Sequence, residues 1–241
     1  MLKYKHTARE LIRYIEENNL NHGQKLPSLE ELIEKFQVSK NTIIKALDEL
    51  ERHGIIYQVR GSGIFVRGHK RPGYINLLEI HGFNSMLREF DVDSKVLLLE
   101  LIKPNAEVMA NLNIEEDQDV YHVKRIRSIE GRHFCIEESY FNKALVPYLN
   151  EQIASESIFN YLVNDLNLQF GFLDHFLRAR KLSAQDAQYL DLDEGDPSIV
   201  VESIFYLDNG LPFDFSKITY HFEETQFFIQ ANSFYNLMNM D

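Results

Sequence analysis

The chain has 241 residues, 44% of them hydrophobic, which exceeds the roughly 100–150 of one domain and leads us to expect two domains with substantial cores. No apolar run nears the about 18 residues that cross a bilayer, the charged opening segment has no apolar leader, and a single cysteine supports neither a disulfide framework nor a cysteine metal cluster, so a cytoplasmic protein is expected. The net charge of −12 argues against a nucleic-acid partner, but residues 1–72 hold 13 Lys+Arg against 9 Asp+Glu, leaving 12 against 28 for the rest: a mildly basic head on an acidic body.

Tyr4, Ala8, Leu11, Ile12 and Ile15 recur at helical spacing and predict a first helix, broken between Asn18 and Gly23. Ser28, with Glu31 three residues on, has capping-box spacing and opens a second helix whose apolar face is Leu29, Leu32, Ile33 and Phe36. Ser39 caps a third, with Ile43, Leu47 and Leu50 on one stripe and Gly54 as its stop. The short β-prone runs 55–59 and 64–66, joined by Arg60-Gly61-Ser62-Gly63, read as a hairpin. Three helices and a hairpin make a winged helix-turn-helix, assigned to residues 1–68. The Gly-, Pro- and base-rich stretch that follows predicts a linker at 69–77.

Residues 78–241 mix strand and helix signals. Strands are expected over 96–102, 120–129, 133–141, 169–179, 198–207 and 211–220, with short helices over 105–112, 157–166 and 183–190, and an edge strand within 227–234. Glu130-Gly131-Arg132 and Asp208-Asn209-Gly210 mark hairpins. Hairpin-linked strands with interspersed helices predict an α+β domain on an antiparallel sheet, and no internal repeat is evident.

In a helix-turn-helix the second helix of the pair enters the major groove with its N-terminal residues. Here these are Ser39, Lys40, Asn41, Thr42, Ile44 and Lys45, of which the Ser, Thr, Lys and Asn side chains suit phosphate oxygens and base edges. Arg60 and the glycines of the wing suit a backbone or minor-groove contact. The competing reading makes each of these residues a solvated surface side chain.

In the body, Arg125 and Arg127 lie two apart on a strand and share a face, an arrangement for bidentate binding of phosphate or carboxylate. Pairing with Glu137, Glu138 or Glu100 across the sheet is the alternative. Ser157 is either an anion-binding hydroxyl at a helix start or a plain cap. Asp214 alternates with Phe213 and Phe215, so a solvated face competes with a binding role. Cys135 reads as a packed thiol, and nine histidines without paired spacing predict no metal.

The head resembles the winged-helix domain of the GntR family, through Lys25-Leu26-Pro27-Ser28, Val38 to Ile43, Ala46 to Leu50, Gly54 to Tyr57 and Arg60 to Val66. That resemblance adds Lys25, Ser28, Gly61, Ser62 and Gly63 to the expected DNA-contacting set. Two positions depart from the family pattern: Leu29-Glu30 stands where Glu-Arg is common, and Ile44 where Arg is common. A changed operator is therefore expected, with Ile44 packing on a thymine methyl. The body resembles the HutC-like branch and its UTRA effector domain, of chorismate-lyase-like fold. The residues that carry this are Arg125-Ile126-Arg127, Gly131, Glu137 to Tyr140, Ser157 to Phe159 and Pro212 to Phe215.

The resemblance implies that Arg125, Arg127 and Ser157, with Ser85, hold the anionic group of an effector. It also implies that Glu137 and Asp214 bind effector hydroxyls or amines and that Tyr220 closes the pocket. An anion clamp facing carboxylates fits a sugar phosphate. The function implied is an effector-gated regulator, in this branch most often a repressor, working as a homodimer on double-stranded DNA and needing no cofactor. A carboxylate or amino-acid effector, a protein partner, and a chorismate-lyase-like enzyme are the alternatives; no catalytic triad, phosphate loop or metal cluster supports the last.

Overall fold

In a computed structural model, residues 2–67, 74–76 and 92–229 are described. The chain divides into two units, one containing Met1–Pro72 and the other Gly73–Phe228.

In the first unit, α1 (Lys3–Glu17) turns Thr7, Ala8, Leu11 and Ile15 inward at helical spacing. α2 (Leu29–Phe36) starts at the expected capping box: Ser28 Oγ accepts from the Glu31 amide, and the Glu31 carboxylate accepts from the Ser28 amide at 2.7 Å. Its last turn leaves through Gln37 at φ 50°, which bends the chain into Ser39, the cap of α3 (Lys40–Arg52). Ile43, Ala46, Leu47 and Leu50 of α3 are buried against Leu11, Leu32 and Ile56. Gly54, at φ +70°, ends this helix where a left-handed residue is needed. β1 (Ile56–Val59) and β2 (Gly63–Val66) then form the wing, closed by Arg60-Gly61-Ser62.

The second unit is built on a six-stranded, wholly antiparallel sheet in the order β4-β5-β6-β9-β8-β7. Its elements in chain order are β4 (Val92–Ile102), α4 (Ala106–Leu112), β5 (Val120–Ile129), β6 (Arg132–Asn142), α5 (Glu151–Ser155), α6 (Ile158–Asn164), β7 (Phe170–Lys181), α7 (Ala184–Leu190), β8 (Pro197–Leu207) and β9 (Pro212–His221). A two-residue turn joins β5 to β6, with Glu130 at φ 50° and Gly131 at φ 76°, the mirror-type turn that matches strand twist. Asn209-Gly210 serves instead in a three-residue loop: Gly210 N–H donates to the Leu207 carbonyl and Gly210 alone takes positive φ.

Helices cover both faces. α5 and α6 bury Ala154, Ile158 and Leu162 against Val123, Phe141 and Phe213. On the opposite face, α4 sets Val108 and Leu112 on Val120, Tyr140 and Phe215, and α7 sets Ala187 and Leu190 on Ile136.

Two expectations need correction. The stretch assigned to a linker contains β3 (Tyr74–Asn76), which pairs in parallel with β10 (Gln226–Phe228) and buries Ile75 with Phe134 and Tyr220. An apolar residue between two polar ones is too weak a signal to reveal a three-residue strand. Second, although the sequence shows no repeat, the structure has one: β4-α4-β5-β6 and β7-α7-β8-β9 are the same strand-helix-hairpin unit. The two helices share a side-chain cap at Asn105 or Ser183 and a left-handed exit at Asn113 or Asp191. Sequence similarity is not needed to preserve such a unit, because caps, turns and alternation suffice.

Candidate functional site

The head presents one continuous exposed set. Because the Ile43–Leu47–Leu50 stripe of α3 faces inward, the opposite face puts Lys40, Asn41, Ile44 and Lys45 in solvent. Ser39 is also exposed but locally engaged: its Oγ accepts from the Thr42 amide and bonds the half-buried Thr42 hydroxyl at 2.9 Å. Ile44, 38% exposed, is an apolar side chain among cations and amides. Arg60, Gly61 and Ser62 form the exposed wing tip, and the aliphatic stem of Lys25 fills the space that a Cβ on Gly63 would need. Ser28 is held in its capping box, and Glu30 is exposed on the first turn of α2.

In the body, antiparallel register decides which side chains meet. Arg125 lies opposite Glu137, Ser139 opposite Ser216, and Phe141 opposite Asp214, all on the face covered by α5 and α6. Arg125 Nη2 donates to Glu137 Oε1 at 2.8 Å, and Arg127 Nε donates to Glu137 Oε2 at 2.9 Å. One carboxylate is thus shared by two guanidiniums. Arg125 also donates to the Ala154 carbonyl of α5 at 2.7 Å, and Arg127 to the Ser94 hydroxyl of β4. Arg125 and Arg127 are 1% and 3% exposed.

Asp214 is fully buried, so the solvated-face reading is overturned. Its Oδ1 accepts from Ser216 Oγ at 2.7 Å, and Ser216 bonds Ser139 at 2.9 Å. Among the described residues its Oδ2 and Arg125 Nε are buried without a partner. Burial alone would raise the Glu137 carboxyl, but Arg125 and Arg127 hold it down at about 2. Burial pushes Asp214 well above the ordinary carboxylate range, and Glu137 adds to this. A group raised in this way favours the fold below its unfolded value and costs stability as pH climbs toward its folded value. Asp214→Asn is therefore expected to match or exceed the parent in stability at neutral pH and to remove the loss of stability that sets in as pH rises above the ordinary aspartate value of 3.8, read by urea unfolding; a destabilised variant with unchanged pH dependence refutes this.

Of the other expected residues, Tyr220 shares this face, in register with Cys135 and, across it, with Arg127. Tyr220 is buried edge-on between Phe134 and Phe227, at 6.0 and 4.9 Å between ring centroids, one strand from Cys135 in the register. Cys135 is itself fully buried, which pushes its thiol up. Ser157 caps α6 and lines an open depression of about 330 Å³ with Glu156, Asn160, Tyr161 and Asp165. Its Oγ accepts from the Asn160 amide, and the carboxylates Glu156 and Asp165 line the same depression. Ser85 lies outside the described residues. Ser94, Ser139, Ser216 and the Ala154 carbonyl went unread in the sequence. Alternation put Ser139 on the face of Glu137 and Ser216 on that of Asp214, but serine is too common in strands to stand out.

Comparison with known proteins agrees with both halves. The family described as bacterial regulatory proteins, gntR family, matches residues 3–66, and the UTRA domain family matches residues 88–226. The chain is 53% identical over 97% of its length, and 99% of the relative, to the uncharacterized HTH-type transcriptional regulator YydK of Bacillus subtilis. It is 32% identical to the regulator GmuR of the same organism, over 90% of this chain and 92% of that one. It is 25% identical to the mannosyl-D-glycerate transport/metabolism system repressor MngR of Escherichia coli, over 95% of each. The crystal structure of YydK superposes with a TM-score of 0.86 at 52% identity, covering 96% of this chain and all of that one. With a capped recognition helix and wing ahead of a six-stranded sheet that buries two arginines, and with both family matches in that order, the chain belongs to the gntR family of transcriptional regulators that carry a UTRA domain, a DNA-binding regulator and not an enzyme.

Proposed function

We propose that the UTRA unit binds a small anion, a sugar phosphate, and that the protein represses a sugar uptake or catabolism operon as a homodimer released by that ligand. The observation that carries this is the charge balance on the buried face. Two guanidiniums face one ionised carboxylate, and the second carboxylate, Asp214, is pushed toward its neutral form. Among the described residues that leaves more positive than negative charge in a buried place, a balance that a bound anion improves. Among the described residues Arg125 Nε–H and Asp214 Oδ2 are buried without a partner, and the guanidinium N–H calls for an acceptor oxygen. Ser139 and Ser216 supply hydroxyls for a polyol. The role named for MngR supports the repressor sense.

At the head, Lys40, Asn41, Ile44 and Lys45, with Lys25, Ser28, Ser39, Thr42 and the wing Arg60 to Gly63, form the DNA-reading surface. Two such heads meet two half-sites about one helical turn apart, and ligand binding shifts the pair toward a spacing the operator rejects. By linkage, the operator weakens ligand binding by the same factor.

The test is thermal unfolding against sugar phosphates, parent sugars and organic acids. A ligand at ~100 times its Kd stabilises the native state by about 2.7 kcal/mol. Arg127→Ala is expected to abolish that shift and operator release together, while Arg127→Lys, which lacks the planar fork, keeps only a fraction. Response to a carboxylic acid and to no phosphate would move the effector class; response to neither would refute the anion site.

A further inference from the structure

The two edges of the sheet are finished differently. β4 is half-buried over Val96 to Leu99, with α5 against it. β7, at the other edge, has 12 residues and carries Phe172, Phe176 and Leu177 at 49%, 57% and 46% exposure. Among the described residues no strand pairs its outer side. A long, apolar, unpaired edge is a template for another strand, and proteins that leave one bare aggregate.

We propose that a second copy of this chain covers it: β7 pairs antiparallel with the partner's β7 about a two-fold axis at Phe176. The inference rests on the homodimer reading above and adds its surface and register. A two-fold axis normal to the sheet keeps each side chain on its own face, so a residue can oppose only its own copy or one an even number of positions away. Few registers satisfy this. Centring on Phe176 overlaps nearly the whole strand, sets Asp174 against the partner's Arg178 twice, and sets Phe176 on its own copy. Centring on His175 opposes Asp174 to Phe176 and Arg178 to Phe172, with no ion pair. Centring on Leu177 opposes Asp174 to Arg180, but that guanidinium is already held by Asp186 at 2.7 Å and by Thr219 at 3.0 Å, and the overlap is shorter. Arg178, by contrast, pairs with Glu202 yet its side chain remains 59% exposed, leaving N–H donors for a second carboxylate. The apolar side chains and the alternating charges thus select one occupant, another β7.

Sedimentation of the full chain, without DNA or ligand, tests this through the position that faces itself. At micromolar concentration the parent is expected to be a dimer. Phe176→Asp and Phe176→Arg each place like charges on the axis and are expected to weaken the dimer at least ~10-fold, with melting curves showing both still folded. Their equimolar mixture is expected to recover the dimer mass, because Asp then faces Arg. A dimeric parent whose two variants stay dimeric overturns this surface and leaves the homodimer reading standing. Variants that dissociate without recovery on mixing overturn the register, and a monomeric parent overturns both readings.

Discussion

Glu137→Ala is expected to destabilise the UTRA unit by about 3–5 kcal/mol, a large part of the 5–15 kcal/mol that holds a typical domain together. The reason lies in what remains: Arg125 and Arg127, both nearly inaccessible, would keep their charges and lose the one carboxylate that both contact. Breaking a buried pair from one side costs more than the pair is worth, because it strands the other charge. The urea midpoint should fall at constant slope. The pH dependence has a defined sign. With its carboxyl held at about 2 in the fold, Glu137 contributes stability above the ordinary carboxylate value of 4.5 that is lost as pH falls from there toward 2. The Ala variant should lack that acid limb. If the face is an anion site, phosphate or sulfate should restore the variant more than it stabilises the parent. A loss below about 1 kcal/mol would mean the guanidiniums find water, and the charge argument would fall with it.

Phe213→Ala is expected to cost a similar amount, about 3–5 kcal/mol, by a different route. Phe213 is fully buried; its ring stacks on Phe170 at 5.1 Å between centroids and lies 6.2 Å from Phe205 and 6.4 Å from Phe159. Truncation removes the transfer energy of the ring and leaves a cavity among aromatic groups too rigid to collapse into it. Phe213→Leu should lose markedly less, and neither variant should change the acid limb. Denaturant unfolding of the three proteins separates the cases, and equal losses for Ala and Leu would contradict a packing origin.

Local chemistry was readable in the sequence. Ser28, Ser39, Ser157 and Ser183 each cap the helix expected of them, since a cap depends only on the next three residues. Both hairpins fall at their glycines for the same reason. What failed was non-local. Alternation set Asp214 apart from both Phe213 and Phe215, but a bulge opposite Phe205–Tyr206 turns Phe213 to the side of Asp214, which α5 and α6 cover, and only Phe215 faces away. The spacing of Arg125 and Arg127 gave them one face, while three acidic partners stayed open; only the β5–β6 register, begun at the Glu130-Gly131 turn and shifted by one residue at the bulge between Arg127 and Ser128, selects Glu137. Tyr220 could not be placed, because its neighbours Ile75 and Phe227 come from three-residue strands too short to read, the first of them far away in the chain.

The duplicated strand-helix-hairpin unit has a kinetic consequence. Within each copy, every strand pairs with one nearby in the chain, so those contacts close short loops and form early. Within the sheet the copies join where β6 meets β9, with α5, α6, β7, α7 and β8 intervening, and that seam carries the largest loop-closure cost in the sheet. Glu137 and Ser139 stand on one side of it, Asp214 and Ser216 on the other. A ligand bound there would fasten the last-formed contact, and would therefore lengthen the lifetime of the folded state while leaving the rate of its formation nearly unchanged.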